Sequence, residues 1–382
     1  MTSTAIWSRD AALPTWAPLE ESRREDVVIV GAGLAGLGLS RALRDRGIDP
    51  LVIDARGPAA GASGRNAGFV LRTHVTEYPS LRARVGVELA RELLAVAKDN
   101  HARIADIAPR GAHRRCGSLM LASGPEEIAM LTEAQLLLGA DGVRTTEVKV
   151  PGGLSGFDVA LRIDDDGEVH PGKLVAALAK GARGAVARAS SIEEGLVRCG
   201  DVAIEARSIV LATNAWTGSL APRLARVITP HRAQMLATAP VAPTLDVPCY
   251  AGLGFDYFRQ RDDGRVLLGG QRHLFVAAEE TDAEDTSDEV QRALDGYRHA
   301  HLAFARGAAI EARWSGIMAF SADGLPLAGR IPGARDQWAL AGWTGHGLGL
   351  SLAVADRLAA RMTGGGADPV LDALDPARFF PD

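Results

Sequence analysis

Three glycines and one aspartate near the start of the chain have the spacing of a nucleotide-binding turn. Gly31, Gly33 and Gly36 follow the apolar run at 27–30, and Asp54 lies 23 residues after Gly31. Glycines at these positions allow a tight turn, a close approach of the backbone to a pyrophosphate, and close packing of a helix on a strand. A carboxylate at this distance hydrogen-bonds ribose hydroxyls and disfavours a 2′-phosphate. The pattern therefore predicts a dinucleotide site that disfavours NADP.

The elements that must position this turn can be predicted from the flanking residues. The β-branched run at 27–30 predicts a buried strand, 34–46 has the apolar spacing of a helix that ends at Gly47, and 50–55 predicts a second strand. This unit places a helix N-terminus at the glycine turn, where free N–H groups attract an anion. A second loop of small residues, 57–70, then follows, which indicates a cofactor that continues across the domain.

Two later stretches have a similar design. Residues 208–216 predict a strand that enters a polar turn, and 338–362 predict a strand, a glycine loop and an amphipathic helix. The second stretch again directs a helix N-terminus at an electron-rich group. A flavin requires such a partner, because its reduction places negative charge around N1 and C2=O. These features favour FAD over NAD.

Five motifs in fixed order, VVIVGAGLAG, GASGRNAGFV, LATNAW, GIMAFSADGLPLAGR and GWTGHGLGLS, resemble the FAD-dependent D-amino-acid oxidase, glycine oxidase and sarcosine oxidase superfamily over nearly the whole chain. The segments IWSRDAALPTWAPLEE and DYFRQRDDGRVLLGG resemble its γ-glutamylputrescine oxidoreductase branch. The resemblance implies oxidation of a C–N bond of an amine or amino-acid-derived amine by hydride transfer to flavin N5, giving an imine. Oxygen, forming H2O2, or a redox partner then accepts the electrons.

The resemblance also implies an α/β fold with a Rossmann-like FAD-binding domain and an α+β substrate domain built on an antiparallel sheet. Helical spacing over 81–108, a helix over 170–182 and a hairpin over 256–270 agree with this in outline. The implied divisions are an N-terminal arm at 1–24 laid over the protein, an FAD-binding domain from 25–78, 151–222 and 311–382, and a substrate domain from 79–150 and 223–310.

By motif, the resemblance assigns cofactor contacts along the whole chain. The residues expected at the pyrophosphate, the adenosine, the flavin-side phosphate and the isoalloxazine are Gly31, Ala32, Gly33, Leu34, Ala35, Asp54, Ala55, Arg56, Ala62, Ser63, Gly64, Arg65, Asn66, Ala67, Gly68, Phe69, Ile192, Ala212, Thr213, Trp216, Met318, Gly342, Gly345, His346, Gly347, Leu348 and Gly349.

The departures from the family pattern bear on the substrate. Met318 stands where glycine and D-amino-acid oxidases have the arginine that anchors the substrate carboxylate. Leu267 and Gly349 stand where monomeric sarcosine oxidases have lysines, and no lysine follows Lys180. These differences argue against a free α-amino acid held in the usual way. They favour an amine, or an N-substituted amine with an extended side chain.

The same comparison of motifs predicts a non-covalent flavin, because no cysteine lies near Met318 and no histidine lies within 61–68. An aromatic cage of two tryptophans is one hypothesis for a cationic amine. For each pocket candidate, packing in the core or a place on the surface is the alternative. The candidates are Arg72, His74, Tyr257, Trp314, Met318, Trp343 and His346.

Composition limits the remaining classes of function. The 382 residues have a net charge of −5 and no basic cluster, which argues against nucleic-acid binding. The three cysteines lie far apart, so neither a disulfide framework nor a metal site is expected. With no apolar run of membrane-spanning length and no signal-peptide core, a cytoplasmic protein is expected.

Three other signals are interpreted as structural. Residues 164–167 predict a turn, His299 and His301 a surface helix, and the acidic run at 279–289 a solvated loop that ends in a helix cap. Two functional alternatives remain open. One is a flavin dehydrogenase of a 2-hydroxy acid, and the other is an FAD-bearing subunit of a heteromeric oxidase.

Overall fold

The computed structural model describes residues 4–73 and 76–380. The strands are β1 (Arg23–Val30), β2 (Leu51–Asp54), β3 (Phe69–Val70), β4 (His113–Arg114), β5 (Ser118–Ala122), β6 (Thr145–Val148), β7 (Val159–Ile163), β8 (Gly167–Val169), β9 (Arg183–Val186), β10 (Ser191–Glu193), β11 (Leu196–Cys199), β12 (Val202–Leu211), β13 (Ile228–Thr238), β14 (Cys249–Ala251), β15 (Asp256–Gln260), β16 (Val266–Gly269), β17 (Ile310–Ser321), β18 (Leu327–Arg330) and β19 (Gln337–Ala341). The α-helices are α1 (Leu34–Arg44), α2 (Tyr78–Val85), α3 (Val87–Ile107), α4 (Gly124–Ala140), α5 (Pro171–Ala179), α6 (Thr217–Leu220), α7 (Val276–Glu279), α8 (Asp288–His301), α9 (Gly347–Met362) and α10 (Pro369–Leu374).

The first sheet has a parallel centre in the order β9-β2-β1-β12-β19. Antiparallel strands β10, β11 and β18 extend it. Helices α1, α5 and α9 cover one face with a core that includes Leu37, Val175 and Leu358. Because the central strands are parallel, their carboxyl ends all lie at one edge of the sheet, where open α/β sheets bind ligands.

The first helix packs on this edge at the glycine turn. A Cβ atom at Gly36 would overlap the carbonyl oxygen of Gly31, and a Cβ at Gly31 would meet the carbonyl of Ala212 at the end of β12. Gly31 also has a φ of +116°, which favours glycine. The glycines are therefore required by the close approach of α1, β1 and β12.

The second sheet has the order β17-β13-β16-β15-β14-β5-β7-β6 and is antiparallel except where β14 pairs with β5. Helix α8 packs on β13 and β16. Strands β3, β8 and β4 form a third, small sheet. The prediction of an α/β fold with a Rossmann-like parallel sheet and a second, antiparallel unit is confirmed.

Several local predictions compare directly with the observed elements. The hairpin over 256–270 is formed by β15 and β16, and the helix over 170–182 is α5. The helical stretch 81–108 is divided between α2 and α3 at Gly86, whose φ is +86°. The predicted division at 151 and 311 does not follow the sheets, because β7 and β17 pair with strands of the second sheet.

The N-terminal segment lies over both sheets. The indole Nε1 of Trp7 donates to the Asn66 carbonyl at 2.7 Å, and the ring is buried under Arg259 and Arg261. Further along, Pro18 forms a bridge to Val186 of β9. This agrees with an arm laid over the protein, and it ties the arm to a loop near the strand ends.

The acidic run at 279–289 is not simply a solvated loop. Glu279 is buried and accepts hydrogen bonds from Arg232 and Gln234, so the expectation of a solvated segment is wrong there. The buried guanidinium of Arg232 needs a counter-charge, which Glu279 supplies. The predicted helix cap is confirmed, since Ser287 accepts from the Val290 amide at the start of α8.

The other two structural interpretations agree with the fold. Residues 164 and 165 form a turn between β7 and β8, although Asp165 and Asp166 also hold Arg72. His299 and His301 lie on α8. No helix in the described parts of the chain has the length and apolar character needed to cross a bilayer.

Replacing Gly36 with alanine should destabilise the protein, because the new Cβ would overlap backbone that cannot move independently of β1. We expect the free energy of unfolding to fall by about 2 kcal/mol, as in other overpacked sites. Urea unfolding followed by circular dichroism measures this. Gly296 on the exposed face of α8 is the matched control, since no atom lies within 4 Å of the point that its Cβ would occupy. Gly296→Ala should raise stability by up to about 1 kcal/mol; equal losses in the two variants would contradict the packing argument.

Candidate active site

A cavity of about 730 Å³ extends from the carboxyl ends of the parallel strands to the second sheet. This volume lies within the range of small-molecule and cofactor sites. The predicted cofactor contacts that line it are Gly31, Ala32, Gly33, Leu34, Ala35, Asp54, Ala55, Arg56, Ala62, Ser63, Arg65, Asn66, Ala67, Gly68, Phe69, Ala212, Thr213, Trp216, Met318, Gly345, Gly347 and Leu348. The sequence motifs therefore converge on a single cavity.

The glycine turn and the end of β2 are joined by hydrogen bonds at one end of the cavity. The Ala32 amide donates to Asp54 Oδ2 at 2.9 Å, and the amides of Arg56 and Gly57 donate to Asp54 Oδ1. The remaining amides in the first turn of α1 have no intrahelical acceptor. This end of the cavity thus combines a helix N-terminus with a fixed carboxylate.

The loop of small residues after β2 lies directly against this turn. Ser63 Oγ accepts a hydrogen bond of 2.8 Å from the Leu34 amide, and a Cβ at Gly33 would lie 2.9 Å from the same oxygen. A side chain at Gly33 would consequently fill the space at the start of α1. The absence of a Cβ leaves a cradle in which an anionic group can approach the backbone.

One wall near this end was missed by the sequence reasoning. Residues 187–189, which follow β9, line the cavity, whereas Ile192 lies in β10 and does not. The cavity wall is formed here by the end of a parallel strand and not by β10, so the predicted contact of Ile192 lies a few residues beyond the lining. The sequence did contain a signal for this wall: a strand follows α5, and its carboxyl end lies beside that of β2 when the two strands pair in parallel.

A buried arginine from the second sheet supports the small-residue loop from behind. Arg259 Nη1 lies 3.1–3.3 Å from the carbonyl oxygens of Ala67, Gly68 and Val169, and its Nε lies 3.0 Å from Glu168. Burial lowers the pKa of Arg259, and Glu168 opposes this. One guanidinium thus fixes the loop, β8 and β15 relative to each other.

The acidic segment crosses the cavity at the end of β2. Arg56 Nη2 donates to Glu284 Oε1 at 2.9 Å, and its guanidinium also stacks on Trp216. The ion pair raises the pKa of Arg56. Asp282 and Glu284 line the same cavity. The two parts of the molecule are therefore connected across the site by side chains as well as by sheets.

The opposite end of the cavity is apolar and aromatic. Phe69 packs edge-on against Tyr250 and Tyr257, with ring centroids 4.9 and 6.2 Å apart, and Met318 and Trp343 lie on the same cavity. Burial raises the pKa of Tyr257 to about 12, so its hydroxyl is protonated at neutral pH. The aromatic part of this wall therefore offers neutral groups.

Helix α9 begins at this aromatic end and is held there by a buried side chain. Asn100 Oδ1 accepts from the Leu352 and Ala353 amides, and Asn100 Nδ2 donates to the Leu348 carbonyl. The side chain thus replaces a hydrogen bond within the first turns of α9. As a result α3 fixes the position of the α9 N-terminus at the cavity.

Several predicted residues lie elsewhere. Trp314 is fully buried and donates to the Arg65 carbonyl at 2.8 Å, so it supports the loop and cannot form a cage with Trp343. Arg72 is buried and paired with Asp165 at 2.8 Å. Gly64 and Gly342 do not line the cavity. A neighbouring cavity of about 220 Å³ is lined by Arg72, His346 and Gly349, among others. His74 lies outside the described residues.

Arg272 lines the cavity and was not predicted. It follows Gly270 and Gln271, whose φ values are +135° and +59°. A glutamine in the left-handed region is unusual and marks a special turn. The only sequence signal was the pair of glycines that ends β16, which indicated a turn but not the direction of the next side chain.

Comparison with known proteins agrees with this geometry. Residues 26–361 match the family model described as "FAD dependent oxidoreductase", the DAO family. The chain belongs to this family. The resemblance inferred from the motifs is thereby confirmed, and the protein is an enzyme of the FAD-dependent oxidoreductase type.

Individual members of the DAO family are similar at low identity. γ-Glutamylputrescine oxidoreductase of Escherichia coli (strain K12) is 26% identical, with 92% of this chain and 86% of that protein aligned. The tRNA 5-methylaminomethyl-2-thiouridine biosynthesis bifunctional protein of Maricaulis maris is 28% identical, but the alignment spans only 58% of its length. The crystal structure of glycine oxidase from Geobacillus kaustophilus has a TM-score of 0.75 at 21% identity, covering 93% and 98% of the two chains.

The cavity fits the cofactor of the DAO family. The space that a Cβ at Gly33 would fill, the first turn of α1 and the carboxylate of Asp54 together suit a pyrophosphate and a ribose. Among the described residues, no group of metal-binding side chains is present. The site therefore has the chemistry of a dinucleotide cradle.

Removing the buried cation should weaken both the fold and the cradle. Arg259→Met leaves Glu168 with one partner fewer and releases two loop carbonyls and one carbonyl of β8, so we expect a loss of about 3 kcal/mol in the free energy of unfolding. The amount of FAD retained on gel filtration should fall in parallel. Arg261, which stacks on the same tryptophan but pairs with the partly exposed Asp10, is the control. Arg261→Met should cost about 1 kcal/mol or less and leave FAD retention unchanged. Equal losses would refute the role of Arg259.

Proposed function

We propose that this protein binds FAD non-covalently and oxidises a C–N bond of an amine or an amino-acid-derived amine. The observation that carries the proposal is a single cavity with two different ends. One end has a helix N-terminus and a carboxylate, which suit a dinucleotide. The other has an apolar aromatic wall, which suits the carbon skeleton of a small amine.

In this proposal the turn at Gly31–Leu34 and Ser63 would hold the pyrophosphate, and Asp54 would accept hydrogen bonds from the ribose. The start of α9, held by Asn100, would contact the flavin end of the cofactor. When bound, FAD supplies the acceptor for a hydride from the carbon next to the amine nitrogen. The resulting imine is hydrolysed by water to a carbonyl compound and an amine.

The residues of the chain contribute orientation and a dry environment. Phe69, Tyr250 and Tyr257 form a wall that excludes water and lowers the free energy of the neutral amine relative to the ammonium ion. Hydride transfer requires that neutral form, because its nitrogen lone pair stabilises the developing positive charge. Tyr257, protonated at neutral pH, can donate a hydrogen bond but does not act as a base.

Three further parts of the proposal rest on the composition of the cavity and on the relatives. No cysteine or histidine of the described chain lines the main cavity, which supports a non-covalent flavin. The names of relatives such as γ-glutamylputrescine oxidoreductase support amine chemistry. The described cysteines are free, which supports a reducing compartment such as the cytoplasm.

Anaerobic titration tests the reaction. The flavin absorbance of the purified protein is followed while diamines, γ-glutamyl amines, N-methyl amines, D-amino acids and 2-hydroxy acids are added in turn. We expect at least one class of amine to bleach the band, because the aromatic end is built for a neutral amine. Admission of air then shows whether oxygen accepts the electrons.

The other results of this titration have definite meanings. Bleaching by 2-hydroxy acids alone would replace amine oxidation by hydroxy-acid dehydrogenation as the function. A bound flavin that no compound bleaches would support an FAD-bearing subunit that needs a partner. Protein that takes up no FAD would overturn the proposal at its first step.

Asp54→Ala should weaken FAD binding by at least roughly tenfold, the effect expected when hydrogen bonds to a charged group are lost. The carboxylate both holds the turn, through the Ala32 amide, and would accept from the ribose. Quenching of flavin fluorescence during reconstitution of the apoprotein measures the dissociation constant. Asp45→Ala, at the exposed end of α1, is the control and should leave the constant unchanged. An unchanged constant for Asp54→Ala would exclude this carboxylate from the cofactor site.

A further inference from the structure

A positively charged side chain lines the cavity at its aromatic end, away from the glycine turn. Four arginines of the described chain line the cavity: Arg56, Arg65, Arg188 and Arg272. Arg56 is paired with Glu284, and Arg65 donates to the carbonyls of Ala60 and Ser315. Arg188 is exposed beside the end of β9, at the dinucleotide end. Of these four, Arg272 is the one that lies, partly buried, at the aromatic end.

Within the described chain, Arg272 stacks on aromatic rings and donates no hydrogen bond to a side chain or carbonyl, although Glu279 and Glu77 lie near enough to raise its pKa. Its guanidinium lies 5.0 Å from the ring centroid of Phe320 and 5.8 Å from that of Phe255. Burial lowers the pKa of Arg272, yet an arginine stays charged at neutral pH. Stacking fixes the plane of the guanidinium and leaves its N–H groups available for an anion.

The turn that presents Arg272 is fixed by a buried carboxylate. Asp256 Oδ1 accepts from the backbone amide of Gln271 at 3.0 Å and from its Nε2 at 2.7 Å. A side chain at Gly270 would overlap Asp256. The left-handed conformation of Gln271 is therefore maintained by two hydrogen bonds, and a strained turn held in this way commonly serves a site.

Arg272 also lies beside Met318, the position at which the sequence has no arginine to anchor a substrate carboxylate. Met318 and Phe320 are two residues apart in β17 and so lie on the same face of the strand. Arg272 stacks on Phe320, next to Met318 on that face. The turn after β16 thus places a positive charge beside Met318.

We propose that Arg272 holds a carboxylate of the substrate, so that the enzyme selects amines carrying an anionic group over uncharged or purely cationic amines. The role of the anchor in catalysis rests on the proposed function, whereas the binding of a carboxylate by Arg272 does not. The planar guanidinium and a carboxylate can form two parallel hydrogen bonds, which fixes the orientation of the substrate as well as its charge.

Calorimetric titration of the holoenzyme with glutarate and with its uncharged diamide tests the anchor without turnover. Wild-type protein should bind glutarate at least tenfold more tightly than the diamide. Arg272→Met should weaken glutarate binding by roughly tenfold to a hundredfold, the range for a lost charged hydrogen bond, and leave diamide binding unchanged. The glutarate affinity of Arg272→Lys should lie between those of the wild type and Arg272→Met, because lysine keeps the charge but cannot form two parallel hydrogen bonds.

Arg330→Met is the matched control, since Arg330 stacks on Trp338 at 4.4 Å and does not line the cavity. It should bind glutarate as the wild type does. Steady-state kinetics then add a second readout: Arg272→Met should raise KM for 4-aminobutanoate relative to butylamine, with flavin content unchanged.

The following outcomes would overturn the proposal: wild-type protein that does not bind glutarate, equal losses for glutarate and its diamide, or loss of FAD with glutarate binding intact. The last would assign Arg272 to the cofactor. If no amine bleaches the flavin while glutarate binding still depends on Arg272, the anchor is upheld and the proposed reaction fails.

Discussion

No side chain fits between the start of α1 and the ends of β1 and β12. At this point the backbone of the glycine turn touches both the first helix and the neighbouring strand, and a single methyl group at Gly31 or Gly36 would overlap a carbonyl. Because β1 is the central strand of the parallel sheet, its contacts set the positions of β2 on one side and β12 on the other. The cavity at the strand ends has its shape only because this approach is so close.

The second sheet depends on the first through buried charges. Arg259, from β15, contacts loop carbonyls that belong to the parallel unit, and Glu168 neutralises it. Arg232 and Glu279 form a second buried pair, which holds the acidic segment against the second sheet. Charges buried in this way are costly unless every partner is in place. The contacts of Arg259 therefore couple the second sheet to the small-residue loop and to β8.

The parts of the site that are local in sequence were predictable. The glycine turn, Asp54, the loop at 62–69 and the start of α9 each have a signature within a few residues, and the structure places them on one cavity. The parts that depend on tertiary contacts were not. Neither the burial of Trp314 nor the pairing of Arg72 with Asp165 has a local signal, because each depends on a partner from another segment. Arg272 is of the same kind, since its direction follows from a hydrogen bond to Asp256.

The order of the strands along the chain has a consequence for how the enzyme is made. The parallel sheet combines the first βαβ unit with β12 and β19, and β19 begins only at Gln337. During synthesis the carboxyl half of β12 must wait with an unpaired edge until nearly all of the chain has been made. Pairings between such distant segments form slowly, and a waiting strand edge is prone to association with other chains. FAD can then act as a late folding ligand, drawing the equilibrium towards the completed sheet.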